Sequence, residues 1–305
     1  MVYTSDALIK LLYDSKALSI WDRKKGPVFW YIVGVPGPFY INTEWMIGAA
    51  LADELLGKID AILAGSKEPA TRAQQLDELI LAAYAKTPVY RDIVATMVAR
   101  AKENFPEGSY SFVSGGERRD WLFSIPFAHE CKMPHAFLFK NLSVFCDRPL
   151  KPHESSLHIA DLINNAASYF DLWFPALEKA QLRCAGTLCV NSRGAGMQRL
   201  EAHGQKAVAL NAIELPFFKQ SLTNGLISQD TYDEIDMHFE SPRKWAVKYL
   251  IGNVALLDVE NIDKKSFGRL QSFIARDPWN LRNDHQEFFD EMQAAIKDRP
   301  NREAS

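Results

Sequence analysis

The chain has 305 residues, of which 47% are hydrophobic and 24% are charged, a composition typical of a folded globular protein and unlike that of a disordered one. Its 35 Lys and Arg residues are balanced by 38 Asp and Glu residues, which gives a formal net charge of -3. Electrostatic binding to a phosphate backbone needs a basic excess, so nucleic acid is not expected as the main partner. No apolar run approaches the ~20 residues that span a bilayer, so no membrane partner is expected either.

The N-terminus and the cysteines indicate a cytoplasmic location. Charged residues such as Asp6 and Lys10 interrupt the apolar residues at the start of the chain, which is unlike a signal peptide. The four cysteines are too few and too irregularly spaced for a disulfide framework or a zinc knuckle. We therefore expect them to be reduced thiols in the core.

The first part of the chain, residues 1–105, is predicted to be mainly helical. Apolar residues recur at three- and four-residue spacing in Glu44–Ala64 and Tyr90–Asn104, which predicts two helices. Between residues 28 and 33 an aromatic and β-branched run predicts a strand, and the Gly and Pro residues that follow favour a small hairpin.

From Tyr110 to Ile213 short apolar runs alternate with helical stretches, a pattern typical of βαβ units and a mostly parallel sheet. The predicted strands are Ser111–Ser114, Ala136–Phe139, Leu157–Ile159, Gly186–Val190 and Ala207–Leu210. The fold class is therefore α/β, with a mainly parallel central sheet of about five strands in residues 106–260.

The C-terminal part of the chain is predicted to be helical. Residues 216–258 are helical by pattern, with Ser228 capping one helix and Pro242 opening another. Asp284–Ile296 forms the last helix of the predicted C-terminal extension, residues 261–305, with Asp284 as its N-cap and a polar tail after it.

Residues 156–168 contain an apolar strand, Asp161 and a small-residue turn that opens a helix. In open α/β sheets ligands bind at the carboxyl ends of the strands, and backbone N–H groups at a helix N-terminus bind phosphate there. The alternative is a plain strand-to-helix turn in which Ser168 is the N-cap.

Two further loops follow predicted strands. After Val113 a glycine pair permits close approach of the backbone to a ligand, and two arginines offer guanidinium groups suited to a polyphosphate; the alternative is a surface turn whose arginines pair with Glu117 and Asp120. The other loop is Asn191–Gly196. Three loops at one sheet edge indicate a ligand site, whereas the spacing of His129, Glu130 and His135 does not predict a metal site.

In their order, these motifs resemble the type I phosphoribosyltransferases, and in particular the orotate phosphoribosyltransferase family, over most of the chain. Gly37–Asn42 resembles the family's N-terminal hood, and Ser114–Ala128, followed by Pro134, His135 and Lys140, resembles its pyrophosphate loop and the next strand. Asn141–Ser155 stands where the family has its mobile catalytic loop. Leu157–Ser168 resembles the motif that binds 5-phosphoribosyl pyrophosphate (PRPP), and Ser192–Gly204 resembles the loop that closes over the base.

The resemblance implies a pentosyltransferase that moves the 5-phosphoribosyl group of PRPP, bound with Mg²⁺, to a pyrimidine base such as orotate, and that forms a homodimer. The implied catalytic residues are Asp161, Lys140 and Lys151. The implied PRPP-binding residues are Gly115, Gly116, Arg118 and Arg119 for the pyrophosphate and Asn164, Asn165, Ala166, Ala167 and Ser168 for the 5′-phosphate. The implied base-binding residues are Phe39, Tyr40 and Arg193.

The sequence departs from the family pattern at several of these positions. The first of two adjacent acids is replaced by Ala160, the usual threonines and glycines of residues 164–168 by Asn, Ala and Ser, and a lysine near the hood by Ile32. The stretch at the mobile loop is also short. These departures support an alternative function, that of a catalytically impaired regulatory protein of the same fold that binds PRPP or a nucleotide.

Overall fold

The computed structural model describes residues 1–65, 68–252 and 262–298. The chain folds into two compact units. The sheet unit comprises Met1–Ala17 and Asn42–Phe217, and the hairpin unit comprises Leu18–Ile41 and the described part of Phe218–Ser305. The end of the helical stretch predicted to Asp258, and most of the predicted polar tail, lie outside the described residues.

Strands and helices alternate through the middle of the chain, with helices at both ends. The strands are β1 (Leu18–Ile20), β2 (Phe29–Trp30), β3 (Pro36–Gly37), β4 (Phe39–Ile41), β5 (Phe112–Gly116), β6 (His135–Leu138), β7 (Val144–Cys146), β8 (Ser155–Ile163), β9 (Arg183–Ser192) and β10 (Ala207–Ala212). The α-helices are α1 (Ser5–Asp14), α2 (Ala49–Gly65), α3 (Pro69–Lys86), α4 (Pro88–Asn104), α5 (Trp121–Cys131), α6 (Phe174–Lys179), α7 (Gly196–Ala202), α8 (Leu215–Thr223), α9 (Gln229–Glu240), α10 (Pro242–Tyr249), α11 (Lys264–Arg276) and α12 (Gln286–Asp298). Thr43–Ile47 is a 3-10 helix, and Tyr169–Trp173 is a π-helix.

Within the described residues, six strands of the sheet unit form one sheet in the order β10-β9-β8-β5-β6-β7. All neighbours pair in parallel except β7, which runs antiparallel to β6. The prediction of an α/β fold with a mainly parallel sheet is confirmed, and each of the five predicted strands overlaps one of β5, β6, β8, β9 and β10, with a shift of one residue at β5 and β6. The short strand β7, at the sheet edge, was not predicted. All three of its residues are half-buried, so buried and exposed residues do not alternate along it.

The helix predicted for Glu44–Ala64 is divided in the structure. Gly48 has φ 108°, a conformation that side chains other than glycine rarely adopt, so the 3-10 helix ends before α2 begins. The Oγ1 atom of Thr43 accepts a hydrogen bond from Nδ2 of Asn191 at 3.0 Å. That bond fixes the 3-10 helix at the carboxyl end of β9.

The hairpin unit contains two antiparallel strand pairs, β1 with β4 and β2 with β3. The predicted hairpin is present, but its strand is only two residues long and Ile32 and Val33 lie exposed beyond it. Trp30 packs edge-to-face on Phe273 of α11, with ring centroids 5.7 Å apart, in a core shared with Trp245 and other residues of the C-terminal helices. The hairpin therefore gains its stability from helices far away in the sequence.

The helix boundaries in the C-terminal part follow the predicted signals in two of three places. Ser228 caps α9 by accepting from the backbone N–H of Thr231, and Pro242 opens α10. The last helix, α12, begins at Gln286, so Asp284 is not its N-cap; the Asp284 carboxylate forms an ion pair with Arg243. The carboxylate that was predicted to cap the helix is therefore paired with Arg243, a residue distant in the sequence.

The two units group the chain differently from the predicted segments 1–105, 106–260 and 261–305. Helices α3 and α4 belong to the sheet unit because they pack with α5 and with strands of the sheet, and α2 packs on α3 and on the 3-10 helix. The hairpin of residues 18–41 packs with C-terminal helices. Both groupings depend on contacts between distant segments, which composition along the chain does not reveal.

Candidate active site

Three loops meet at the carboxyl edge of the sheet, after β5, β8 and β9. The chain leaves β8 toward β9 and β10, and leaves β5 toward β6 and β7, so the strand order reverses between the adjacent strands β5 and β8. In open α/β sheets ligands bind at such a reversal. The loops after β8 and β9 are in contact: the N–H of Gly196 donates to the carbonyl of Asn164 at 2.8 Å, and the N–H of Arg193 donates to the carbonyl of Ile163 at 2.9 Å.

Asp120 joins the loop after β5 to the end of β8. Its buried carboxylate accepts from the N–H of Gly116 through Oδ2 and from the N–H of Asp161 through Oδ1, both at 3.1 Å. Nε2 of His158 lies 3.5 Å from Asp120 Oδ2, and Nδ1 of His158 lies 3.0 Å from Oγ of Ser114. This Ser, His and Asp series resembles a nucleophilic triad, but Ser114 and His158 are fully enclosed, so the series positions Asp120 and does not meet a substrate.

Asp161 lies near the end of β8 with only 8% of its surface exposed. Its Oδ1 atom accepts from the N–H of Leu162 at 2.6 Å. Burial raises the pKa of Asp161 well above its usual value, the charges of Asp120 and Glu44 act in the same direction, and the Arg119 guanidinium opposes them. The Asp161 carboxyl consequently retains its proton at pH values where a free aspartate has lost it.

The two predicted pyrophosphate arginines point to different partners. Arg118 donates from Nη1 to the carbonyl of Leu56 at 3.1 Å and to Oδ2 of Asp60 at 2.5 Å, both on α2. Nη2 of Arg119 lies 3.3 Å from Oε1 of Glu44, and the Arg119 side chain is 47% exposed. The alternative in which these arginines pair with Glu117 and Asp120 is therefore wrong, and Arg119 is the arginine whose charge acts on Asp161.

The glycine pair before these arginines is required by packing. A Cβ at Gly115 would overlap the Ser124 side chain on α5, and a Cβ at Gly116 would overlap the indole ring of Trp173 on the π-helix. Since both glycines are buried, close packing against β5 explains them without a ligand. Their predicted role in PRPP binding stays a prediction.

The loop after β8, residues 164–168, is closed by its own polar groups. Oδ1 of Asn165 accepts from the N–H of Ala167 at 3.0 Å, and Ala166 has φ 57° with its methyl group buried. Ser168 is exposed and makes no capping hydrogen bond before the π-helix, so the alternative in which it acts as an N-cap is wrong. Nη1 of Arg199 donates to the carbonyl of Asn165 at 3.2 Å, which places a cation beside this loop.

The two predicted catalytic lysines lie at opposite edges of the sheet. Lys140 follows β6 at the carboxyl edge, where Nζ lies 3.8 Å from Oε1 of Glu117. Lys151 precedes β8 at the amino edge, in a turn where its N–H donates to Oε1 of Glu154 at 3.0 Å. The stretch predicted as a mobile catalytic loop contains β7 instead, and this strand carries the chain away from Asp161. A direct catalytic role for Lys151 is therefore not supported.

The three predicted base-binding residues belong to two units. Phe39 is buried in the hairpin unit, where its ring packs on Phe218 with centroids 4.9 Å apart, so its faces serve the core. Tyr40 is half-buried in the same unit, with its ring centroid 5.8 Å from that of Phe29. Arg193 belongs to the sheet unit.

Two residues near the site, Glu44 and Arg199, were not identified from the sequence, nor was the role of Asp120 in connecting the loop after β5 to the end of β8. Asp120 stands between the arginine pair and the start of α5, but no signal in the sequence indicated that its carboxylate would connect two strand ends. Glu44 and Arg199 carry no motif, because their partners lie far away in the sequence. Across the described ranges, no group of three or more His, Cys, Asp or Glu side chains is arranged to hold a metal ion, and no helix is both long and apolar enough to cross a membrane.

The structure of this chain is similar to several solved structures. Orotate phosphoribosyltransferases from Aeropyrum pernix (16% identity, 72% of this chain and 99% of that one, TM-score 0.42) and Mycobacterium tuberculosis H37Rv (11% identity, 68% and 95%, TM-score 0.41) are similar to this chain. No family model and no curated protein matches the chain. The UMP synthase of Leishmania donovani is similar at 13% identity with a TM-score of 0.54, covering 78% of this chain and 42% of the synthase, so the chain spans less than half of that protein's length. On this similarity and on the strand order, the chain has the type I phosphoribosyltransferase fold.

Proposed function

We propose that the chain binds PRPP with its Mg²⁺ at the carboxyl edge of the sheet and transfers the 5-phosphoribosyl group to a pyrimidine such as orotate. The observation that carries the proposal is the meeting of three loops at the strand-order reversal, with Arg119 and Asp161 close enough that the charge of one shifts the pKa of the other. A cation for pyrophosphate and a polar group for a sugar hydroxyl are thus both present at this edge of the sheet.

The binding roles follow from the geometry of each side chain. A guanidinium has five N–H donors, so Arg119 can hold pyrophosphate oxygens with donors that do not face Glu44. Asp161 anchors the ribose, and residues 164–168 with Arg199 bind the 5′-phosphate through backbone N–H groups and one cation. Arg193 remains a proposed base contact at this sheet edge, and the base contact predicted for Tyr40 stays a prediction.

Transfer of this group develops positive charge on the ribose and negative charge on the departing pyrophosphate. The chain contributes by holding the base and the ribose in line and by stabilising the pyrophosphate charge with Arg119 and Lys140. The Mg²⁺ arrives as part of the PRPP complex and neutralises pyrophosphate charge when bound.

A second candidate is a PRPP- or nucleotide-binding regulatory protein without turnover. The observation that favours it is the placement of Lys151 at the amino edge, away from Asp161, together with Arg118 bound to α2. Ala160 also leaves the PRPP motif with one acid in place of two.

The test is a calorimetric titration with PRPP and Mg²⁺, followed by an assay of PRPP consumption with orotate, uracil and related bases. Consumption with one base supports the transferase, and Asp161→Asn should then abolish turnover while the protein stays folded. Ala160 is 2% exposed and belongs to the hydrophobic core, so Ala160→Glu would bury a charge among apolar side chains and cannot restore the second acid of the motif. If the parent binds PRPP but consumes it with none of the bases, the regulatory function holds; if the parent does not bind PRPP, both proposals are wrong.

We also propose that the chain is a homodimer. The exposed apolar residues Ile32 and Val33 support it, although Val28, Trp30 and Tyr31 of the same run are buried within the hairpin unit, which leaves less free apolar surface than the sequence indicates. Light scattering at micromolar concentration should give twice the monomer mass, and a monomer would contradict the proposal.

A further inference from the structure

The turn between β2 and β3 in the hairpin unit carries two exposed apolar side chains. Ile32 is 77% exposed and Val33 is 54% exposed, whereas Tyr31 and Gly34 on either side of them are buried. Backbone hydrogen bonds fix the turn: the N–H of Gly34 donates to the carbonyl of Tyr31 at 2.8 Å, and the N–H of Tyr31 donates to the carbonyl of Val35 at 2.9 Å. Two adjacent apolar side chains on a fixed turn indicate the centre of a contact surface.

A basic helix flanks this turn. Helix α11 contains four Lys or Arg residues and no Asp or Glu. Nη1 of Arg269 donates to the carbonyl of Trp30 at 2.7 Å, and Nη2 of Arg276 donates to the carbonyl of Val33 at 2.6 Å. Lys265 is exposed and lies four residues before Arg269, on the same face of the helix. The side of the turn that meets α11 is therefore positively charged.

An acidic helix flanks the same turn. Helix α9 contains five Asp or Glu residues and no Lys or Arg. Its His238 packs edge-to-face on Tyr31, with ring centroids 6.2 Å apart. Asp233, Asp236 and Glu240 are spaced three and four residues apart, on the face of α9 that lies away from His238, and Asp233 and Glu240 are exposed. The side of the turn that meets α9 is therefore negatively charged.

The two helices contact consecutive residues of the hairpin. The Trp30 ring packs on Phe273 of α11, and the Tyr31 ring packs on His238 of α9. Side chains of consecutive residues in an extended segment point to opposite faces, so the basic and the acidic helix lie on different sides of the turn. A stable interface buries far more area than two apolar side chains provide. A partner that binds at the turn must therefore also contact the flanking helices.

We propose that the turn Tyr31–Gly34, α9 and α11 form the interface of a homodimer, in which a two-fold axis passes near Ile32 and Val33 and α11 of each copy faces α9 of its partner. This inference rests on the homodimer proposed above and names its interface. A surface with an apolar centre and opposite charges on its two sides is complementary to itself under such an axis. An acidic protein or an anionic membrane would match α11 but would be repelled by α9.

The first part of the test removes the apolar centre. Light scattering at micromolar concentration measures the mass of the parent, of Ile32→Ser/Val33→Ser and of the control Val2→Ser, which replaces an exposed apolar residue of the sheet unit. The parent and the control should have twice the monomer mass. In Ile32→Ser/Val33→Ser the dissociation constant of the dimer should rise at least about tenfold, because apolar area is no longer buried at the centre of the interface.

The second part exchanges the charges of the two helices. Lys264→Glu/Lys265→Glu reverses exposed charges on α11, and Asp233→Lys/Asp236→Lys reverses charges on α9. Each double variant should raise the dissociation constant at least about tenfold, because like charges then face each other across the interface. The variant that carries all four substitutions should form the dimer again, because opposite charges once more face each other.

Lys86→Glu/Lys102→Glu is the matched control for charge reversal. Both lysines are exposed and belong to the sheet unit, so the same change in net charge should leave the dimer intact. Circular dichroism establishes that each variant is folded.

The contrary results separate this inference from the proposals on which it depends. A dimer that persists in Ile32→Ser/Val33→Ser would place the interface elsewhere and leave the homodimer intact. Persistence in the charge-reversal variants, or no recovery in the combined variant, would mean that α9 and α11 do not face each other. A monomeric parent would refute the homodimer and this inference together, and its sedimentation with phosphatidylserine vesicles would assign the surface to a membrane. PRPP binding is tested independently of all these results.

Discussion

The loops after β5 and β8 follow adjacent buried strands at the same sheet edge, yet they are built differently. Residues 117–120 are all charged, and their side chains bind partners outside the loop, as Arg118 does on α2. Residues 164–168 carry no charge and are held by backbone and amide hydrogen bonds, such as that from Ala167 to Asn165. An anion at the first loop would depend on charged side chains, and at the second on N–H groups and neighbouring cations.

The largest effect is expected when Asp120, the residue that connects the two loops, is replaced. Asp120→Ala would leave the N–H groups of Gly116 and Asp161 buried without an acceptor. The free energy of unfolding should fall by roughly 3 kcal/mol or more, since each unpaired buried group costs about 1–3 kcal/mol. Urea denaturation measures the loss. Asp120→Asn retains one acceptor oxygen and should lose less; equal stability of Asp120→Ala and the parent would show that Asp120 does not connect the loops.

The second prediction separates the two arginines of the charged loop. Arg119→Ala should weaken PRPP binding by about 1.5–3 kcal/mol, the range for a hydrogen bond to a charged group. Arg118→Ala should change it by less than about 1 kcal/mol, because the Arg118 guanidinium is occupied by α2. Calorimetry with PRPP and Mg²⁺ compares the pair. Equal losses would mean that Arg118 leaves Asp60 when PRPP binds.

The third prediction concerns Asp161, at the end of β8. Its pKa is raised in the folded protein, so above the usual aspartate pKa the folded state binds a proton that the unfolded state does not. The resulting stability is complete below that usual value and is lost as the pH rises toward the raised pKa. As the pH rises above the usual aspartate pKa, the parent should lose stability relative to Asp161→Asn, which cannot ionise. Urea denaturation at a series of pH values above that pKa tests this, and an equal pH dependence of the two proteins would contradict it.

The smallest expected effect lies in the uncharged loop. Ala166→Gly relieves a left-handed conformation that costs alanine about 1 kcal/mol. It also removes a buried methyl group worth about 0.8 kcal/mol and adds backbone freedom to the unfolded chain worth about 0.5–1 kcal/mol. The net change in unfolding free energy should be within about 1 kcal/mol, as judged by urea denaturation. A loss above about 2 kcal/mol would show that the methyl group supports the loop more than its burial indicates.

Much of the fold was predictable because its signals are local. The apolar runs of β5, β6, β8 and β9 are buried on both faces, and such strands are visible as short continuous hydrophobic segments. The edge strand β10 is only partly buried but has the same kind of apolar run. Ser228 and Pro242 mark helix starts through interactions within one turn. The short strands of the hairpin unit and β7 have too few residues for a period to be recognised, and the bounds of α11, which lies in the predicted helical extension, were not predicted.

The sequence by itself determined the α/β class, the parallel strands and the positions of three polar loops, since these depend on hydrophobic periodicity and on turn residues. Only the tertiary structure decided which side chains share the site. Arg118 binds α2, Glu44 approaches Arg119 and Lys151 lies at the far edge, because each position depends on how distant segments pack. The burial that raises the pKa of Asp161 has the same origin: it comes from the enclosing structure and not from the residues beside it in the chain.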